Sequence, residues 1–105
     1  MYSIKFLPSA ESAIEDIHTY LESFSSPSDI EKVEGRIEAT VDGLSDMPTR
    51  HRRYHPPLAH HPDIRCAPAG KYVVYFDLDE DARRITVLDV QHHRRDPDFS
   101  RRRLG

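Results

Sequence analysis

Four consecutive residues near the C-terminal end, His92, His93, Arg94 and Arg95, set two imidazoles beside two guanidinium groups. An imidazole gains and loses a proton near neutral pH. A guanidinium grips phosphate or carboxylate through two parallel hydrogen bonds, which lysine cannot copy. Such groups suit phosphodiester cleavage without a metal. A proton must leave a 2′-hydroxyl, the in-line phosphorane must be stabilised, and the leaving oxygen must be protonated. Arg65 lies in a separate strand-like stretch and is expected to converge on them. The same residues also suit a task without catalysis, the binding of an anionic partner. A third use is internal, as ion pairs with Asp63, Asp89, Asp96 or Asp98.

Metal chemistry has weaker support. Seven histidines and one cysteine, Cys66, are present, but no CxxC or HExxH pattern exists. His51 and His55 have helical spacing, yet Pro56 and Pro57 exclude a helix there. His60–His61 and His92–His93 are adjacent pairs, whose side chains point to opposite faces in a strand. No metal and no cofactor are therefore expected. A lone cysteine allows no intrachain disulfide and fits a reducing, cytoplasmic setting.

The formal net charge of -3 conceals two unlike halves. Residues 1–49 carry ten acids against three bases, whereas residues 50–105 carry eight acids against twelve bases, eleven of them arginine. An anionic partner is therefore expected for the second half only. The start is too short and too polar for a signal peptide. No apolar run approaches the roughly 20 residues needed to cross a bilayer, so no membrane role is expected.

The elements that position these residues follow from periodicity. The chain has 105 residues, enough for one domain with its own core. Tyr2, Ile4 and Phe6 alternate with polar residues and predict a first strand, Tyr2 to Leu7. Ala10, Ala13, Ile14, Ile17, Tyr20 or Leu21, and Phe24 form the stripe of a first helix. Ser28 and Glu31 form a capping-box pattern for a second. Its stripe is Ile30, Val33, Ile37, Val41 and Leu44, and Pro48 follows. Met47 to Pro62 is irregular, with four prolines and four histidines. Three strands follow, over 63–67, 71–79 and 84–91. In the second of these, Tyr72, Val74, Phe76 and Leu78 share a face that should meet the helices. In the last, Leu88 and Val90 are expected on one face and Ile85, Val87 and Asp89 on the other. Val73, Tyr75, Ile85 and Val87 would then make a half-open face for a partner. The order β-α-α-β-β-β predicts an α+β domain over 1–97, with a helical hairpin on one face of a small, mainly antiparallel four-stranded sheet. Residues 98–105 form a basic tail.

This arrangement resembles the RelE/ParE superfamily of bacterial toxins. The opening YSIKFLPSAESAIEDIHTYL is similar to the family's first strand and helix. Pro48 after the second helix, Arg65 alone in a strand, and GKYVVYFDLDEDARRITVLDVQHHRRDP as a closing hairpin carry the rest. The HHRRDP ending, His92 to Pro97, looks more ParE-like than RelE-like.

The resemblance implies the toxin of a type II toxin–antitoxin system, held inactive by a cognate antitoxin from the same operon. ParE-like members inhibit DNA gyrase; RelE-like members cut mRNA on the ribosome as metal-independent endoribonucleases. By analogy with RelE-like members, Arg65 and Arg95 would hold the phosphate, with His92 in support. This chain departs from that pattern. No tyrosine follows Tyr75, and its only lysines are Lys5, Lys32 and Lys71. Gyrase is therefore the expected target, with mRNA cleavage or a non-toxic binding module as alternatives. Target or antitoxin contacts are expected at Arg65, Tyr75, His93, Arg94 and Arg95.

Overall fold

The computed structural model describes residues 1–54 and 61–95. His55, His60 and the expected tail over 98–105 lie outside them. The first apolar alternation forms strand β1, Ser3–Phe6. Pro8 takes the first turn of helix α1, Pro8–Glu22, where its missing N–H costs nothing. Helix α2, Pro27–Asp42, also begins on a proline. Its cap is Ser26, whose hydroxyl accepts from the Asp29 N–H at 3.2 Å. The expected Ser28–Glu31 box is therefore not the cap, because Pro27 already sits at the first helical position. Two short 3₁₀ turns, Gly43–Ser45 and Pro48–Arg50, lead away from α2. Strands β2 (Ile64–Ala69), β3 (Tyr72–Asp79) and β4 (Arg84–His92) complete the described chain. No described helix is long and apolar enough to cross a membrane.

The four strands lie in the order β1-β4-β3-β2. β1 runs parallel to β4, and the other two pairings are antiparallel. The fold is the expected α+β arrangement. Ile37, Val41 and Leu44 pack with Val74, Phe76 and Leu78, so the even-numbered face of β3 does meet the helices.

β4 departs from simple alternation. Tyr75 pairs with Asp89 but the next residue, Phe76, pairs with Val87, which leaves Leu88 as the extra residue of a bulge. Leu88 belongs to a second cluster with Leu7, Ile64, Cys66 and Tyr75, while Ile85, Val87 and Val90 join the helix-side core. The expected faces of Leu88, Ile85 and Val87 are thus reversed. The bulged Leu88 carbonyl accepts from the Ser9 hydroxyl at 2.8 Å, which ties the start of α1 to the irregularity.

The expected half-open face is corrected as well. Ile64, Cys66, Tyr75 and Leu88 are all buried there. The Tyr54 ring meets Tyr75 edge-on at 5.6 Å. Arg53 forms a bridge with Arg65, and Cys66 N–H donates to the Arg52 carbonyl at 3.1 Å. Residues 52–54 thereby pair with the outer edge of β2 and protect it from adventitious strand addition.

Candidate functional site

β4 ends at His92, and the chain then turns. Arg94 N–H donates to His92 Nδ1 at 3.2 Å, and Arg95 N–H donates to the His92 carbonyl at 2.9 Å. His93 N–H donates to the Lys71 carbonyl at 2.7 Å. That bond brings Lys71 and the start of β3 into the cluster. The turn defeats strand alternation, so the two imidazoles do not point apart. They stack at 4.5 Å with an interplanar angle of 29°. The His92 ring also meets Tyr72, its cross-strand partner, edge-on at 5.5 Å.

The cluster is cationic. His92 is held below the ordinary histidine pKa, first by partial desolvation and then by the charges of His93, Arg94, Lys71 and Arg95. Its neutral form is favoured, and Nδ1 is occupied as an acceptor. Its proton therefore resides on Nε2. A groove of about 530 Å³ opens between this strand end and α1, lined by Ile17, Tyr20, Tyr72, His92, Arg94 and Arg95 among others.

Arg65 is elsewhere. It sits opposite Phe76, whereas His92 sits opposite Tyr72, four residues away along β3. At about 3.3 Å per residue the offset is roughly 13 Å along the strands, with one strand between them. Arg65 is 7% exposed. Its Nη1 donates to the carbonyls of Thr49 and His51 at 3.0 and 2.8 Å, and Nη2 donates to Asp63 Oδ2 at 3.3 Å. Nε faces Asp63 Oδ1 at 3.2 Å, an ion-pair distance without hydrogen-bond alignment. Thus the expected convergence of Arg65 on His92 and Arg95 does not occur. The guanidinium clamps the segment after the second 3₁₀ turn onto β2. Of the internal pairings foreseen for the arginines, the one with Asp63 is present. Tyr75 is likewise inside the second cluster rather than on a surface.

The clamp holds His51 against the core. The His51 ring meets Phe76 edge-on at 5.7 Å, and its Nε2 is buried without a hydrogen-bond partner. Burial, with the charges of Arg50 and Arg65, pushes its pKa below the ordinary 6.5. The unfolded chain then binds this proton first, so stability falls as pH drops below about 6.5 and levels off below the folded-state pKa. Urea titrations between pH 8 and 5 should show this loss, and His51→Gln should reduce it. An unchanged pH profile in that variant would assign the loss to other groups.

Tyr20, Phe24, Lys71 and Tyr72 are the surroundings that the sequence did not single out as functional. Lys71 and Tyr72 were legible only through strand register. Tyr20 and Phe24 carried a misleading signal, since they extend the apolar stripe of α1 yet are 63% and 73% exposed.

Solved structures share this fold, among them the following three. A structure described as the chromosomal ParDE toxin–antitoxin system from P. aeruginosa superposes with a TM-score of 0.69 at 15% identity, covering 88% of this chain and 96% of that one. The RelBE2 toxin–antitoxin complex of Mycobacterium tuberculosis gives 0.57 at 20% identity, with 87% and 90% covered. The archaeal RelE–RelB complex of Pyrococcus horikoshii OT3 gives 0.58 at 15% identity, with 90% and 98% covered. No curated protein sequence matches. The family model described as the ParE toxin of the type II toxin–antitoxin system parDE matches residues 4–97. That span runs from β1 through the strand-end cluster, so the chain belongs to the ParE toxin family and is the toxin component of a type II toxin–antitoxin system.

Proposed function

We propose that this toxin arrests growth by binding DNA gyrase, through the surface formed by His92, His93, Arg94 and Arg95, and that a cognate antitoxin from the same operon relieves the arrest. One observation carries the choice of target. A metal-free ribonuclease of the RelE kind would bring two arginines onto one phosphate, and Arg65 is committed to Asp63 and two backbone carbonyls. Without Arg65 the guanidinium groups left for a phosphorane, Arg94 and Arg95, both stand exposed on one turn instead of converging from two strands. Binding a protein needs only an accessible, charged surface, and Arg94 and Arg95 are both exposed. The RelBE-like structures share the fold with this chain, which supports an antitoxin partner without favouring mRNA.

Expression of the chain alone in a related bacterial host should arrest growth, and co-expression of its operon partner should restore it. Purified toxin should inhibit supercoiling by gyrase. Arg94→Ala with Arg95→Ala should weaken inhibition about tenfold or more, the equivalent of roughly 1.4 kcal/mol or above. Cleavage of mRNA on programmed ribosomes, with gyrase unaffected, would overturn the target. Normal growth at verified soluble expression would point instead to a non-toxic binding module.

A further inference from the structure

The stripe of α1 does not end where burial ends. Ala10 and Ala13 are buried and Ile17 is half-buried, but Tyr20 and Phe24 emerge into solvent. They are not isolated side chains. Their rings lie 4.9 Å apart at 49°, a paired aromatic surface at the tip of the helical hairpin. Tyr20 also lines the groove that ends at His92, Arg94 and Arg95. One continuous face therefore carries an apolar aromatic end and a cationic end. Exposed aromatics next to arginine are the side chains that dominate binding energy in protein interfaces.

Charge selects the occupant. Arg94 and Arg95 line this end of the groove beside His92, with His93 stacked on His92 and Lys71 bonded through its carbonyl to the His93 N–H. Among the described residues, Asp16 is the only carboxylate in the lining. The other lining residues from the acidic half, Ala13, Ile17 and Tyr20, carry no charge. An occupant with carboxylates over Arg94 and Arg95 gains charge complementarity, and one with an apolar anchor removes Tyr20 and Phe24 from water.

We propose that this groove seats an acidic segment of the protein target, with an apolar or aromatic side chain packed on Tyr20 and Phe24 and carboxylates on Arg94 and Arg95. This deepens the reading of gyrase as target and rests on it for the identity of the protein. Nucleic acid is the other anionic candidate. A protein is favoured because Tyr20 and Phe24 pack on one another, centroids 4.9 Å apart at 49°, and so offer an apolar edge instead of two free ring faces for bases to stack on.

The test uses Tyr20→Ser with Phe24→Ser, and separately Arg94→Glu with Arg95→Glu. These side chains are all exposed, so thermal unfolding should match the unaltered toxin. Three readouts are needed: growth arrest, inhibition of gyrase supercoiling, and complex formation with the operon antitoxin. Both variants should lose inhibition and growth arrest by roughly tenfold or more in effective concentration, while still binding antitoxin. Inhibition by the unaltered toxin should weaken as salt rises. Full toxicity in either variant overturns the proposal. Loss of antitoxin binding in a folded variant also overturns it, because the groove would then be the antitoxin's seat. Growth arrest that depends on these residues without any effect on gyrase would keep the groove and discard gyrase. If the serine variant does not fold, the glutamate variant decides. Retained binding of the unaltered toxin to single-stranded RNA or DNA, lost in both variants and with no protein target inhibited, would reassign the groove to nucleic acid and overturn the proposal.

Discussion

Replacing Arg65 with methionine is expected to lower the unfolding free energy by about 2–4 kcal/mol, since two carbonyls lose their donor and a carboxylate loses its better-buried partner, at about 1–3 kcal/mol for each group left unsatisfied. The substitution frees the carbonyls of Thr49 and His51, each of which now accepts from Nη1, and leaves Asp63 only the exposed Arg53 as an ionic partner, Nε to Oδ1 at 3.4 Å. Lysine should not rescue it. A point charge cannot hold a carboxylate and two carbonyls at once, as the planar fork does. Replacing Asp63 with asparagine in the same chain should cost less than the two single changes added together, since both members of the Arg65–Asp63 pair are then gone. Urea midpoints of the four proteins measure this. An Arg65→Met protein of normal stability that has lost toxicity would instead make Arg65 a contact residue for the target. The exposed Arg94 and Arg95 carry the opposite expectation, with toxicity lost and stability kept.

Truncation of Leu88 to alanine should cost about 2–5 kcal/mol, because the side chain is fully buried. Its partners distinguish the bulged strand from a regular one. With the bulge, Leu88 packs beside Tyr75 and Cys66, on the face away from α2. A double-mutant cycle of Leu88→Ala with Tyr75→Ala should therefore show coupling above about 0.5 kcal/mol. The cycle with Ile37→Ala, on the helix side, should be additive within about that amount. Coupling to Ile37 in place of Tyr75 would mean that β4 alternates regularly in solution. Loss of the Ser9 hydroxyl should be felt at the same place, since it satisfies the Leu88 carbonyl.

Much of the architecture was legible because periodicity is a local property. The 3.6-residue spacing of Ile30, Val33, Ile37 and Val41, and the alternation of Tyr72, Val74, Phe76 and Leu78, already specify a helix and a strand with one apolar face each. The order of those elements and the charged strand end at His92–Arg95 follow from the same reading, as does the likeness to toxin families. Other features depend on residues far apart in sequence. The bulge at Leu88 arises where β3 and β4 pair, so alternation within β4 assigned Leu88, Ile85 and Val87 to the wrong faces. The stack of His92 on His93 arises from a turn fixed by Lys71, twenty-two positions before His93. Arg65 looked like a surface arginine because nothing near it in sequence reveals that Thr49 and His51 will present their carbonyls to it. Tyr20 and Phe24 continue the helical spacing in the sequence, but α1 ends at Glu22 and both rings stand in solvent. Side-chain pattern alone determined which elements form and, outside the bulged β4, which faces are apolar. Only the tertiary structure decided which arginine is consumed inside the fold and which remain outside to bind, because a guanidinium is buried or exposed according to the partners that other segments bring to it.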